Sequence, residues 1–147
     1  MSTQGRRGWK FWTVRILGAL VVIQLVPYGR AHTNPPVVKE PAWDTPETRE
    51  LVRAACFDCH SNETRWPRYS WVAPSSWLTE WDVNTARSHL NFSEFQRPQR
   101  HAKDAAEQVR TGEMPQTSYT WFHKSARLSA ADRERLAVAF ERMFGRQ

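Results

Sequence analysis

The chain has 147 residues, enough for one domain of ordinary size and an appendage, and it carries a formal net charge of +6. Residues 1–30 hold five of the 21 basic residues and no acidic residue, so 16 basic and 15 acidic residues remain in 31–147. A nearly neutral domain without a basic stripe or a nucleic-acid motif excludes nucleic acid as the expected partner.

The first 30 residues have the pattern of an export signal. Basic residues precede an apolar run over residues 16–28, which is the order of an n-region and an h-region. Counted from Trp9, the segment reaches about 20 residues, the length that a bilayer needs. We predict that residues 1–30 form an uncleaved signal anchor in the inner membrane, single-pass, with the rest of the chain in the periplasm. The alternative is cleavage near residues 29–31, which leaves a soluble periplasmic protein.

The next segment is rich in proline. Residues 31–43 include Pro35-Pro36 and Pro41, and they predict an extended tether between the membrane and a domain over residues 44–147. A first helix is expected from about Pro46 to Phe57, with Asp44 as its N-cap.

The end of that expected helix carries the most informative motif of the chain. Residues 56–60 read Cys-Phe-Asp-Cys-His, and Cys56 and Cys59 are the only cysteines. Two thiols three residues apart lie on one face of a helical turn, where they can form thioethers with the two vinyl groups of a haem. His60 follows on the same face and can present a ring nitrogen to the iron. The C-x-x-C-H pattern therefore predicts one covalent haem c, with His60 as the proximal iron ligand.

Zinc binding and thiol chemistry are the alternatives for the same two cysteines. A structural zinc site usually needs four Cys or His ligands in paired spacings, and the sequence lacks a second pair. A thioredoxin-like pair is expected in a βαβ context, whereas nothing here alternates strands with helices. A disulfide between residues three apart in a helix has poor geometry.

Three further helices are expected after the motif. The first begins near Pro74-Ser75, the second spans roughly residues 99–111, and the third begins at Ser129 and ends at Gly145. The sequence shows no strand-like alternation. It predicts an all-α fold, a small c-type cytochrome-like helical domain with long loops wrapped round a haem, preceded by an N-terminal hydrophobic helix.

Residues just past His60 are candidates for contact with the haem. Six tryptophans follow the N-terminal segment, and most are expected in the core. Trp66 and Trp71 are predicted to contact the haem, because an indole provides both an apolar face and an N–H donor. Arg65 is predicted to pair with a haem propionate, the alternative being an ordinary solvated charge.

The second axial ligand is expected to be a methionine, as in most c-type electron carriers. Met143 lies in the last turn of an amphipathic helix and reads as a core residue. Met114 lies in the sequence Gly-Glu-Met-Pro, a loop in which glycine permits the turn and proline stiffens it, so we predict Met114 as the distal ligand. Three histidines remain as alternatives, namely His89, His101 and His123.

The chain is similar to a family of small bacterial haem-binding domain proteins. The resemblance covers most of residues 50–120 and is carried by four stretches: CFDCHSNETRWP (56–67), YSWVAPSSW (69–77), HLNFSEF (89–95) and GEMP (112–115). It implies a membrane-anchored or periplasmic single-haem c-type domain, with thioethers at Cys56 and Cys59, His60 as proximal ligand and Met114 as distal ligand. Gln116 stands where the family often has a second proline.

These residues predict a single-electron carrier outside the cytoplasm rather than an enzyme, with redox proteins as donor and acceptor. A neutral thioether ligand favours ferrous iron and raises the potential relative to two histidines. Peroxidase-like activity stays open. The alternatives are a haem-based sensor or peroxidase-like enzyme with a labile sixth ligand, and a non-haem zinc or thiol protein.

Overall fold

Helices are the only regular secondary structure in the described part of the chain. The computed structural model describes the backbone of residues 3–145 and the side chains of residues 8–145. One isolated bridge pairs Lys39 with Glu94. The predicted all-α fold is confirmed. In chain order the helices are α1 (Thr3–Val22), α2 (Pro46–Ala55), α3 (Phe57–His60), α4 (Ser75–His89), α5 (Ala105–Thr111), α6 (Thr117–Phe122) and α7 (Ala130–Phe144), and three 3-10 turns cover Ile23–Leu25, Arg68–Trp71 and Lys124–Ala126.

The chain divides into two units. The first comprises the residues up to His32 together with Trp66–Trp81, and the second comprises Thr33–Arg65 together with the chain from Asp82 onward. The predicted haem-attachment residues and Met114 belong to the second unit.

The first unit contains a helix that is long and apolar enough to cross a membrane. The window Gly8–Leu25 has 18 residues with a mean hydropathy of 1.2, and none of it is buried. A membrane anchor and a signal sequence share this pattern. The predicted N-terminal hydrophobic helix is therefore present.

Residues that follow this helix are fixed to the 66–81 segment of the same unit. The side-chain amide of Gln24 donates to the carbonyl of Ala73 at 2.9 Å and accepts from the Ala73 N–H at 2.9 Å. Gly29 has φ +76, and a Cβ at this position would lie 2.2 Å from the carbonyl oxygen of Ser76. Glycine is required here both by its backbone conformation and by the close approach of the two segments.

In the second unit, α2, α5 and α7 pack round one apolar core. It includes one valine from α2, one from α5 and three large residues from α7, namely Val52, Val109, Leu136, Phe140 and Phe144. Burial of each such side chain contributes roughly 1.5–3 kcal/mol to folding. The helix α7 begins as predicted, because the hydroxyl of Ser129 accepts the N–H of Asp132 at 3.0 Å.

Three details of the helices differ from expectation. The N-cap of α2 is Thr45, whose hydroxyl accepts the Thr48 N–H at 3.1 Å, while Asp44 accepts the N–H of Thr45 at 2.8 Å. The helix α5 begins only at Ala105, since residues 100–104 form turns. The helix α6 was not expected from the sequence. Gln99, where α5 was expected to begin, instead accepts the Asn91 N–H and donates to the Glu94 carbonyl.

Candidate functional site

Cys56, Cys59 and His60 lie on one tight turn at the end of α2. Cys56 leaves the helical conformation with φ −125 and ψ −30, and its N–H still donates to the Val52 carbonyl at 2.8 Å. The N–H groups of Cys59 and His60 then both donate to the Cys56 carbonyl, at 3.2 and 2.8 Å. Both cysteines are free and partly buried. The turn therefore brings two free thiols and an imidazole onto one short segment.

The thiols are held in their neutral form. Burial raises the pKa of Cys56 to about 12, and burial with the nearby Asp58 and Asp82 charges raises the pKa of Cys59 to about 12. Reactive thiols of redox enzymes have pKa values lowered below that of free cysteine. This environment is the opposite of the one that activates a thiol for disulfide exchange.

The His60 ring is oriented by a backbone carbonyl. Its Nδ1 lies 3.0 Å from the Leu90 oxygen, so the ring proton belongs on Nδ1 as donor, and Nε2 carries the lone pair. A metal-binding histidine is typically fixed in this way, with one ring nitrogen on a carbonyl and the other on the metal. Burial lowers the pKa of His60, which favours the neutral imidazole that binds metals.

Residues 90–94 also form hydrogen bonds with His60 and with the residues that follow it. The Phe92 N–H donates to the His60 carbonyl at 2.8 Å, and the Ser93 hydroxyl accepts the Asn62 N–H at 2.9 Å. The Asn91 amide donates to Asn62 Oδ1 at 2.8 Å and accepts the Ser93 N–H at 2.9 Å. Asn62, Asn91 and Ser93 are all buried. These polar residues form a closed hydrogen-bonded network behind the histidine.

Asp58, between the two cysteines, is buried and fully engaged. Its Oδ1 accepts from the Arg65 N–H at 3.2 Å and from Arg65 Nε at 3.0 Å. Its Oδ2 accepts from Arg65 Nη2 at 3.3 Å and from the Tyr119 hydroxyl at 2.6 Å. The structure thus places the Arg65 guanidinium on Asp58, and its pairing with a haem propionate stays a prediction. Burial, followed by the bond to Asp58, raises the pKa of Tyr119, so the hydroxyl remains a donor.

Arg87 links the residues after His60 to the start of the second unit. Its guanidinium donates to the Ser61 carbonyl at 2.8 Å and to Thr64 Oγ1 at 2.9 Å. It also donates to the Thr33 carbonyl at 3.0 Å and to Asn34 Oδ1 at 2.9 Å. One planar cation with several fixed donors therefore shapes the loop that follows the motif.

Trp66 and Trp71 lie in the first unit, where both contact His32. The Trp66 ring stacks on His32 at 4.6 Å between centroids, and the Trp71 ring meets it edge-on at 4.2 Å. The Trp66 Nε1 is buried without a hydrogen-bond partner, so it can donate to an oxygen acceptor. Haem contact by either tryptophan stays a prediction.

Met114 lies in a loop whose entry is fixed. Gly112, at the C-terminus of α5, has φ +83, and the Met114 N–H donates to the Gln108 carbonyl at 2.9 Å. Met114 and Met143 are both partly buried, and both pack against the apolar core that Cys56 also contacts. Of the alternative histidines, His101 contacts both His89 and Asp104, whereas His123 stacks on Tyr119.

The donors on these segments fit a haem. Two free thiols and an imidazole oriented through Nδ1 by the Leu90 carbonyl lie on one turn, and a methionine lies in a constrained loop of the same unit. Among the described residues, no group of three or more His, Cys, Asp or Glu side chains is placed to hold a metal ion by itself.

The sequence interpretation missed six residues that build this site: Asp58, Asn62, Arg87, Asn91, Ser93 and Tyr119. Asn62, Asn91 and Ser93 enter the sequence interpretation only within stretches that carry the resemblance. Their small polar side chains next to apolar ones, as in Leu-Asn-Phe-Ser, are the signal that could have indicated a buried polar network. The partnership of Asp58 with Tyr119, 61 positions away, leaves no local signal.

Comparison with known proteins agrees with the resemblance. The family model described as haem-binding domain matches residues 18–141, most of the chain. No curated protein and no solved structure gives a match.

Removal of the Asn91 amide should destabilise the second unit. Asn91→Ala leaves the Asn62 Oδ1 and the Ser93 N–H buried without partners, and each such group costs about 1–3 kcal/mol. We expect the free energy of unfolding to fall by about 3 kcal/mol, measured by urea denaturation of the haem-loaded protein. Gln96→Ala, in the same loop but exposed, should change it by less than about 0.5 kcal/mol. Equal urea midpoints for the two variants would show that the network contributes no stability.

Proposed function

The chain belongs to the haem-binding domain family and is a haem-binding protein, and from this premise we propose that it holds one c-type haem covalently and transfers single electrons outside the cytoplasm. The observation that carries the proposal is the pairing of two free thiols with a histidine whose Nδ1 is already bonded to the Leu90 carbonyl. That arrangement provides two attachment points and one oriented iron ligand on a single turn.

The residues have separate roles. Cys56 and Cys59 would hold the haem through thioethers, His60 Nε2 would bind the iron on one side, and Met114 would bind it on the other. When bound, the haem supplies one-electron redox chemistry at its iron. The chain contributes the fixed ring orientation of His60 and a neutral sulfur ligand, which favours the ferrous state relative to a second histidine.

The thiol environment supports attachment over thiol catalysis. Both cysteines have raised pKa values, whereas disulfide exchange depends on the thiolate. A sensor or a peroxidase-like enzyme would need a sixth ligand that leaves the iron readily. The choice between those functions and an electron carrier therefore depends on whether Met114 would stay bound to the iron.

The N-terminal helix supports a location at the membrane. We propose that residues 8–25 anchor the chain in the inner membrane, with the haem-binding unit in the periplasm. The basic residues that precede the apolar run favour this orientation, and the redox partners would be proteins or carriers reachable from that side.

Covalent attachment can be tested by haem staining of a denaturing gel. With the protein exported in cells competent for cytochrome c maturation, we expect a stained band for the wild type and none for a Cys56→Ala/Cys59→Ala variant, because no thioether can form. Immunoblotting of both bands and a known c-type cytochrome on the same gel serve as controls. An unstained wild-type band beside a stained control would remove covalent haem from the proposal.

Iron ligation can be tested by a matched pair of methionine variants. Met114→Leu should convert low-spin ferric haem to high-spin and lower the reduction potential, since leucine keeps the volume but has no sulfur. Met143→Leu removes the other partly buried core methionine and should leave the low-spin spectrum in place. An unchanged spectrum for Met114→Leu would favour a different or labile sixth ligand, as in a sensor or peroxidase.

Membrane anchoring can be tested by fractionation. The stained protein should stay with the membrane after alkaline carbonate extraction and keep its N-terminal segment, and external protease should degrade it in spheroplasts. Replacement of residues 1–30 by a cleavable export signal should move the stained band to the soluble periplasmic fraction. A shortened wild-type protein in that fraction would instead indicate signal cleavage.

A further inference from the structure

The helix α6, just after Met114, has little packing of its own. It spans Thr117–Phe122, and none of its side chains is fully buried. Among the described helical elements, only the 3-10 turn Lys124–Ala126 lies close to its backbone. A helix of six residues is also too short to be stable by itself. Its position must therefore be fixed by specific side-chain contacts.

Tyr119 provides such a contact. Its hydroxyl donates to Asp58 Oδ2 at 2.6 Å, and its ring stacks on His123 at 4.1 Å between centroids. Asp58 is 7 % exposed, and its carboxylate is held by three bonds from Arg65. A hydrogen bond from a neutral donor to a buried charged acceptor is stronger than one between neutral groups.

This hydrogen bond joins the two segments that carry the proposed iron ligands His60 and Met114. Asp58 lies between Cys56 and Cys59, on the turn that carries His60. Tyr119 lies five residues after Met114, so it restrains the exit of the methionine loop, whereas the bond from Met114 N–H to the Gln108 carbonyl restrains its entry. The loop is therefore tied at one end to α5 and at the other to the haem-attachment turn.

We propose that Tyr119 is a positioning residue whose bond to Asp58 ties the Met114 loop to the haem-attachment turn and keeps the methionine on the iron. The inference rests on the proposed function, because it requires Met114 as the distal ligand. Tyr119 acts through the position of the loop and binds neither haem nor iron itself. Without its hydroxyl, the methionine should leave the iron more often, and an added ligand should replace it more readily.

The test measures the affinity of imidazole for the ferric, haem-loaded full-length protein, and binding is monitored through the change in the visible spectrum. Tyr119→Phe keeps the ring and removes the hydroxyl. Since a hydrogen bond to a charged group is worth enough to change an equilibrium about tenfold, we expect imidazole to bind about tenfold more tightly. Thr120→Val removes a hydroxyl from the same helix that bonds only to the Thr117 carbonyl, and it should change the affinity by less than about twofold.

A second pair of variants separates positioning from a general structural effect. In a Met114→Leu background there is no methionine to displace, so Tyr119→Phe should leave imidazole affinity unchanged within about twofold. Equal tightening in both backgrounds would show that Tyr119 controls access to the iron rather than the methionine, and would overturn the inference. Unchanged affinity for Tyr119→Phe in the wild-type background would overturn it as well.

Failure of the proposed function gives a different result. If Met114→Leu alone leaves the resting spectrum unchanged, Met114 is not the ligand, and the inference is lost together with that part of the proposal. If Tyr119→Phe does not mature, Asp58→Asn takes its place, because it removes the charged acceptor at the other end of the same bond. The imidazole affinity of Asp58→Asn, measured in the wild-type and Met114→Leu backgrounds, then tests the inference in the same way.

Discussion

The contact on which the site depends is the hydrogen bond between His60 Nδ1 and the Leu90 carbonyl. It selects one tautomer and one ring orientation, and so leaves Nε2 as the nitrogen that would bind iron under the proposed function. This hydrogen bond fixes the His60 ring only if the backbone of Leu90 is itself held in place. The Phe92 N–H, which donates to the His60 carbonyl, holds it there. Two bonds in opposite directions thus register residue 60 against the segment 90–92, much as adjacent strands register each other.

Asp58 places a buried negative charge on the turn that carries Cys56, Cys59 and His60. A buried carboxylate is costly unless it is paired and hydrogen-bonded, and here four donor contacts from Arg65 and Tyr119 meet that requirement. The negative charge also disfavours ionisation of the neighbouring thiol, one reason why the pKa of Cys59 is raised. The same side chain therefore orders the loop and, together with burial, keeps the Cys59 thiol neutral.

Local patterns in the sequence predicted the parts of the molecule that local interactions determine. The C-x-x-C-H turn, the Ser129 cap of α7 and the apolar N-terminal helix each depend on residues within a few positions of one another, and each is present. The late start of α5 accompanies side-chain bonds of Gln99 to the preceding loop, and α6 is held by a partner far along the chain. Gln99 is engaged by residues 91 and 94, and Tyr119 reaches back 61 positions to Asp58. Periodicity in a single sequence carries no record of such pairings.

The polarity of the loops behind the histidine has a physical reason. Apolar packing is non-directional and would leave a ligand ring free to settle in several orientations. Ser61, Asn62, Asn91 and Ser93 are buried instead, and each is costly to bury unless its partners are in place. A network of this kind therefore has one satisfied arrangement, and that arrangement fixes the backbone on both sides of His60. In a domain with few aliphatic residues to spare, directional bonds give His60 the rigidity that a larger core would otherwise have to provide.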